Sequence, residues 1–199
     1  MDNRFLFAFT DPGELKLLGR FVYPFCLKYR VRLLAINSPL VNTHRDIEPL
    51  DLVLAVQICS ERRFGELSWL DHWYLHKLSR NKEFFRQTVF QFTTYAHQTI
   101  WPKFWEKTDK TGGSNDGGIG WPLMVIANLI SNGITEDRAW NMPECQAIWL
   151  STAFIKIKGG EVNVLTTEEE EFMEQERQAK AKAEADKPPV ADEGVAEKS

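Results

Sequence analysis

Two histidines one helical turn apart have the spacing in this sequence that comes nearest to a catalytic metal site. His72 and His76 stand four positions apart, beside Asp71, in the segment DHWYLH, and two imidazoles on one helical face can bind zinc. The glutamate that follows the first histidine in zinc proteases is missing, and a third ligand would have to come from His44, His97 or a distant carboxylate. We therefore predict no metal site and interpret the pair as half-buried or interfacial histidines among tryptophans.

The three cysteines are candidates for a thiol nucleophile. Cys26, Cys59 and Cys145 each stand alone in an apolar helical pattern, without a CxxC pair. A thiol in apolar surroundings keeps its proton and is a poor nucleophile. An odd number of separate cysteines also argues against a disulfide framework. We predict buried, reduced thiols in a cytosolic protein.

The glycine-rich segment and the acidic run do not predict a ligand site either. Residues 108–120, TDKTGGSNDGGIG, hold five glycines in thirteen residues, but they lack the lysine and the preceding strand of a phosphate-binding loop. The run Glu168–Glu171 fits the first turn of a helix, where the helix dipole stabilises acidic side chains. We predict a flexible hinge at 108–120, no cofactor, and a protein that is not an enzyme.

Composition and charge restrict the class of protein further. The 199 residues are 43% hydrophobic and 12% aromatic, which is enough for a globular core. Residues 166–199 hold eleven acidic and five basic side chains, so the rest of the chain is nearly neutral and predicts no nucleic-acid partner. No window is long and apolar enough for a membrane span or a signal peptide. We expect a soluble protein without a membrane partner.

Hydrophobic periodicity predicts an all-α fold, a bundle of about seven or eight helices with little or no sheet. The predicted helices begin near the following positions, some with two candidates: Thr10 or Asp11, Pro24, Pro49, Ser68 or Glu66, Asn81, Trp121, Pro143, and Thr166 or Thr167. The first is predicted to end at Leu18. The helix from Pro49 is apolar on nearly every side and is predicted to be the central buried helix.

Changes of composition along the chain predict its organisation. We expect an N-terminal helical domain at 1–107, a Gly-rich linker at 108–120 and a C-terminal helical subdomain at 121–177. The charged segment 178–199 has almost no large apolar residue and is predicted to be disordered.

The stretch 134–165 has the clearest helix start and stop signals in the chain. Pro143 fits the first turn of a helix, and Gly159 with Gly160 supplies the stop. The apolar face predicted between them consists of Ala147, Ile148, Leu150, Ala153, Phe154 and Ile157. Trp140 and Trp149 flank the helix start, and we interpret them as anchors that hold this helix to the body.

Six large aromatic residues between the middle of the chain and the hinge exceed what a small helical core needs. They are Trp69, Trp73, Trp101, Phe104, Trp105 and Trp121. We predict that some of them line a surface that binds an apolar helical segment of a partner. Packing within the core is the alternative for the set as a whole.

Several short motifs together carry a resemblance to a known family. They lie in ITEDRAWNMPECQAIWLSTAFIKIKGGEVNVLTTEEEEFM, which has a tryptophan, a proline-started helix with a second tryptophan, a glycine stop and an LTTEEE opening. With the upstream runs LLAINSPLV and PLDLVLAVQICS, this segment resembles the tail assembly chaperone-type proteins of bacteriophages and prophages. The motif positions are Trp140, Pro143 and Trp149.

The resemblance implies transient binding to the long, aggregation-prone tape-measure protein in the host cell cytoplasm, until tail-tube subunits polymerise around it. It implies a non-enzymatic chaperone in virion assembly, with the tape-measure protein as partner and the tail-tube protein as a further candidate. A homo-oligomer is a separate candidate, and the sequence does not give the oligomeric state. A second hypothesis is a structural virion protein, such as a minor tail or connector component. A third is a metal-dependent enzyme that uses His72 and His76.

Overall fold

The structure is a computed structural model that describes residues 6, 8–10, 15–61, 65–96, 101–102, 120–160, 164, 169, 172–175 and 178. Its named elements are the strands β1 (Leu15–Leu17) and β2 (Arg20–Val22) and the helices α1 (Leu27–Ala35), α2 (Pro49–Cys59), α3 (Trp69–Arg80), α4 (Lys82–Ala96), α5 (Trp121–Ser131), α6 (Glu136–Asn141) and α7 (Glu144–Ile157). The predicted helical class is confirmed. Across the described residues no helix has the length and apolarity needed to cross a membrane.

A tight hairpin replaces the end of the first predicted helix. β1 and β2 pair antiparallel, and the two residues between them have positive φ angles, 45° at Leu18 and 71° at Gly19. Two consecutive left-handed residues form the two-residue turn that fits the twist of a hairpin, and they cannot continue a helix. Leu17 and Val22 point into the core from the two strands. The prediction of a helix through Leu18 was therefore wrong.

The hairpin turn lies directly against α3. A Cβ atom at Gly19 would come within 2.8 Å of the Tyr74 hydroxyl oxygen, so both the backbone angle and the space require glycine. Next to the turn, Arg20 pairs with Asp71 of α3, with 2.6 Å between Nη2 and Oδ1. The small sheet thus fixes the position of α3 on the body.

α2 lies at the centre of the main core, as its apolar sequence predicts. All residues from Leu52 to Cys59 except Leu54 are buried, and α2 contacts α1, α3, α4 and β2. Phe92, on α4, is completely buried in the same cluster. Among the described residues, α2 contacts more elements of the N-terminal part than α1, α3 or α4 does. The other elements therefore pack around α2.

A second cluster joins the helices after residue 120 to α1. Its buried members are Leu27, Ile126, Leu129, Ala139, Met142 and Ala147. Leu27 comes from α1 and the others come from the region of α5 to α7. Asn128 on α5 ties the helices together by donating hydrogen bonds to the Ser151 carbonyl oxygen at 3.0 Å and hydroxyl oxygen at 2.8 Å. The predicted linker at 108–120 lies outside the described residues except for Gly120, and the predicted tail at 178–199 lies outside them except for Gln178.

The C-terminal helices differ in detail from their prediction. α6 is a separate short helix that ends at Asn141, and α7 begins at Glu144, one residue after Pro143. The stop at Gly159 is confirmed, and its φ of 83° is typical of a glycine after a helix end. Of the predicted apolar face, Ala153 and Ile157 are exposed. That part was wrong because the fully buried residues of α7 all lie between Glu144 and Thr152. Beyond Thr152, Phe154 is half-buried against the second cluster, while Ala153 and Ile157 lie on the solvent side of the helix.

Leu27→Ala tests whether one side chain couples α1 to the C-terminal helices. Because Leu27 is completely buried, its truncation should leave a cavity and lower the free energy of unfolding by about 2–5 kcal/mol in urea denaturation. Leu50→Ala, on the exposed side of α2, is the matched control and should change it by about 0.5 kcal/mol or less. Equal losses in the two variants would contradict the role assigned to Leu27.

Candidate partner-binding surface

Two tryptophans and two histidines form an exposed stripe along α3. Trp69, His72, Trp73 and His76 recur at spacings of three and four and are all exposed, so they share one face of the helix. Trp69 is 80% exposed and Trp73 is 51% exposed. The two histidines were predicted to be half-buried or interfacial, and the structure excludes the half-buried position. We refer to these four residues as the tryptophan face.

Asp71 holds α3 in place beneath the tryptophan face. Its carboxylate accepts hydrogen bonds from the Ser68 backbone nitrogen at 2.9 Å, from the Ser68 hydroxyl at 2.7 Å and from Gln57 Nε2 at 3.1 Å. Burial acts to raise the pKa of Asp71, but these hydrogen bonds and the charge of Arg20 outweigh burial and hold the pKa below its ordinary value. One buried carboxylate therefore caps α3 and bonds it to both α2 and the hairpin.

A lysine connects the tryptophan face with α4. Lys77 Nζ lies 5.2 Å from the centre of the Trp73 ring and 4.1 Å from the centre of the Phe84 ring. The Tyr74 ring meets the edge of Trp73 at a centroid distance of 4.7 Å. These contacts fix the Trp73 ring while leaving half of it exposed, so the residue is positioned before any partner binds.

The other described members of the predicted aromatic set form a second pair elsewhere. Trp101 and Trp121 meet edge to face at 5.7 Å between centroids, and the Arg30 guanidinium lies 5.1 Å and 5.5 Å from their ring centres. No ring contact joins this pair to Trp69 or Trp73 among the residues that the structure describes. Phe104 and Trp105 lie outside the described residues.

The guanidinium between those rings belongs to a buried ion pair. Arg30 Nε donates to Glu144 Oε1, and both side chains are almost completely buried. Arg30 Nη2 also donates to the Ala96 carbonyl oxygen at 3.3 Å, and its Cζ lies 5.2 Å from the Phe25 ring centre. The arginine thus connects α1 with the end of α4 and the starts of α5 and α7.

Among the described buried acids, Glu144 is the one whose ionised form is least stabilised by its surroundings. Burial raises its pKa from an ordinary 4.5 to about 7, against the opposing charge and hydrogen bond of Arg30. Its second carboxylate oxygen, Oε2, is buried and has no hydrogen-bond partner among the described residues. Its backbone nitrogen donates to the Phe25 carbonyl oxygen at 2.8 Å. These features fit a structural acid at the junction of α1 and α7.

The residues that carry the family resemblance lie in packed positions. Trp140 is half-buried against the second cluster, and Pro143 pairs with Cys26 in an isolated antiparallel bridge. Trp149 is buried with Ala8 and Cys145. Their positions accord with the interpretation that these tryptophans hold the C-terminal helix to the body.

The predicted burial of all three cysteines is confirmed. Each is a free cysteine, and burial raises the pKa of Cys26 to about 11 and that of Cys59 to about 12. Burial also raises the pKa of Cys145. At neutral pH these thiols are protonated, which makes them poor nucleophiles.

An open groove beside α4 was not predicted. It has a volume of about 640 Å³ and lies between the segment 39–47 and α4. Phe85, Val89 and Phe90 line it with Arg86, and Phe90 is 73% exposed. The signal in the sequence was the spread of aromatic residues around more than one side of α4, beyond the single face that a core requires.

Comparisons of the chain with protein-family models, curated proteins and solved structures found no match.

Across the described residues there is no cluster of three or more His, Cys, Asp or Glu side chains arranged to hold a metal ion. The exposed tryptophan face remains the feature of the described surface whose chemistry points most directly to a binding partner.

The raised pKa of Glu144 predicts a pH-dependent stability. Between about pH 4.5 and about pH 7 the folded protein holds a proton that the unfolded chain releases, so this group's contribution to stability is lost as the pH rises. Glu144→Gln has no such proton. Urea denaturation measures the free energy of unfolding of the wild type and of Glu144→Gln at each pH. The wild-type value minus the variant value should be about 3 kcal/mol smaller at pH 7 than at pH 4.5.

Glu61→Gln is the opposite control for this experiment. Hydrogen bonds from Lys28 and Tyr29 lower the pKa of Glu61, so its contribution is present above its ordinary pKa and is lost as the pH falls. The wild-type-minus-variant difference should therefore rise with pH for Glu61→Gln. A difference that is flat or rising for Glu144→Gln would show that Glu144 is ionised in the folded protein throughout.

Proposed function

We propose that the protein is a non-enzymatic phage tail assembly chaperone that binds apolar helical segments of the tape-measure protein during tail assembly. The family proposal comes from the sequence motifs. The observation that supports the binding role is the tryptophan face, with two exposed indole rings on a helix that the core holds firmly in place. The place of action that follows is the host cell cytoplasm, with the tail-tube protein as a second candidate partner.

The size of the tryptophan face favours transient binding. Trp69 and Trp73 together leave on the order of 300 Å² of surface exposed. Burying that area contributes roughly 7 kcal/mol, which is of the same size as the free energy lost when two proteins associate. Further contacts along the partner must supply the rest. A weak, renewable contact suits a chaperone that has to release its client when the tail tube forms.

The shape of the tryptophan face suits a helical partner. Side chains at spacings of three and four form a ridge that packs into the groove between the ridges of a second helix. The partner segment would present a stripe of small and branched apolar side chains to the indole rings. Such stripes are buried in the assembled state of a long helical protein and exposed before assembly, which is when a chaperone is needed.

The charges around the tryptophan face favour one sign of charge on the partner. Asp71 is the one acidic residue of α3, and it is buried. Lys77 lies beside Trp73, and Arg80 is exposed at the end of the helix. A client helix with acidic side chains next to its apolar stripe is therefore favoured over one with basic side chains.

Removal of both exposed indoles tests the proposal. The double variant Trp69→Ser, Trp73→Ser should fold normally, because both side chains project from the surface, and it should bind the tape-measure protein at least about thirtyfold more weakly. The measurement is co-expression with the tape-measure protein of the same phage, followed by affinity pull-down and by the soluble fraction of the client. The matched control is Phe90→Ser, which removes an exposed ring from the groove beside α4 and should bind as the wild type does.

Two results would decide against the proposal. One is a wild-type protein that neither forms a complex with the tape-measure protein nor increases its solubility. The other is detection of the chain in stoichiometric amounts by mass spectrometry of purified particles, which would indicate a structural virion protein.

A further inference from the structure

The tryptophan face leads into positive charge at the C-terminal end of α3. Four exposed side chains form one line along the helix, at successive spacings of four, three and four: Trp69, Trp73, His76 and Arg80. Lys77 lies beside this line, next to Trp73. Residues 64–76 contain no lysine or arginine. The line is therefore aromatic towards the start of α3 and basic at its end, and we refer to Lys77 and Arg80 as the basic end.

The two cations of the basic end have no carboxylate partner in the part of the chain that the structure describes. No ion pair there includes Lys77 or Arg80, and the Lys77 nitrogen is held over the Trp73 ring instead. Glu83, the next acidic residue in the sequence, accepts a hydrogen bond from Gln87 at 3.0 Å. The basic end therefore presents two uncompensated positive charges to a partner.

The spacing of the line places different demands on successive turns of a partner helix. Alternating spacings of four and three are those at which two helices pack side by side along a common seam. Trp69 and Arg80 are about 16 Å apart along the axis of α3. A helix laid along the line therefore covers the two indole rings with apolar side chains and brings a following or preceding turn to the basic end. Carboxylates in that turn pair with Lys77 and Arg80.

The dipole of the partner helix decides which of its ends carries those carboxylates. Acidic side chains stabilise the first turn of a helix, where the free N–H groups lie, and they destabilise the last turn. A helix with an acidic first turn is therefore better formed before it binds and loses less conformational entropy on binding. When its first turn lies at the basic end of α3, the rest of the partner helix runs back towards Trp69.

We propose that the tryptophan face binds a partner helix that runs antiparallel to α3, with aspartate or glutamate side chains in its first turn at the basic end and apolar side chains over Trp69 and Trp73 in the turns that follow. This proposal rests on the proposed binding role of the tryptophan face. It adds the direction of the partner helix and the position of its acidic residues. The indole rings supply most of the affinity, and the basic end selects among apolar helices.

Two synthetic peptides test the selection by charge. Both are stapled helices with leucines at spacings of three and four, and one has glutamates in its first turn where the other has lysines. Fluorescence anisotropy with the full chain should show that the glutamate peptide binds at least about fivefold more tightly than the lysine peptide. Arg80→Glu should abolish or reverse this preference. Arg86→Glu introduces the same charge at an exposed position on α4 and should keep it.

A nitroxide on the glutamate peptide tests the direction. At the N-terminus of the bound peptide it should broaden the backbone amide NMR signal of Arg80 more than the indole N–H signal of Trp69, and at the C-terminus it should do the reverse. The opposite pattern would overturn the antiparallel arrangement.

The remaining outcomes separate this proposal from the binding role on which it rests. Equal binding of the two peptides, or a preference that survives in Arg80→Glu, would overturn the proposal and leave the binding role standing. Arg80→Gln repeats the test if Arg80→Glu does not fold by circular dichroism, and it should also reduce the preference. A wild-type chain that binds neither peptide would overturn the proposal, while the pull-down with the tape-measure protein tests the proposed function separately.

Discussion

The buried guanidinium of Arg30 is the interaction on which the packing of the two parts of the chain depends. It bonds to Glu144 and the Ala96 carbonyl oxygen and lies among the rings of Phe25, Trp101 and Trp121. A cation without water is unstable unless it has a counter-charge and hydrogen bonds. The helices that supply these groups are therefore held to one arrangement. Loss of Glu144 would strand the buried guanidinium, a penalty of about 3–5 kcal/mol in comparable pairs.

Local signals made much of the helical framework predictable. Proline before an apolar run located the starts of α2 and α5, and Ser68 was one of two predicted candidates for the start of α3. The capping box that Ser68 forms with Asp71 was seen only in the structure. The hairpin was missed because its turn depends on left-handed angles at Leu18 and Gly19, and Leu at such a position gives no warning. There the fit of the strands against the core outweighed local propensity.

Surface and core tryptophans could not be distinguished by pattern. Trp69 and Trp149 both belong to helices with apolar periodicity, yet the first is exposed and the second is buried. What differs is the element that covers each of them, and that depends on contacts between distant segments. The pair of Arg30 and Glu144 has no sequence signature for the same reason, because 114 positions separate its members. The candidate surface was therefore predictable as a set of residues and not as an arrangement.

That separation also bears on the order in which the protein forms during synthesis. The described residues of the main core all lie at or before residue 96, so α1 to α4 can pack while the ribosome is still translating. Arg30 belongs to α1, but its counter-ion arrives 114 residues later, on the order of 10 s at ordinary elongation rates. Until Glu144 is made, a guanidinium at this place avoids an unpaired buried charge only by keeping its hydration. The burial of Arg30 therefore has to follow the synthesis of the C-terminal helices.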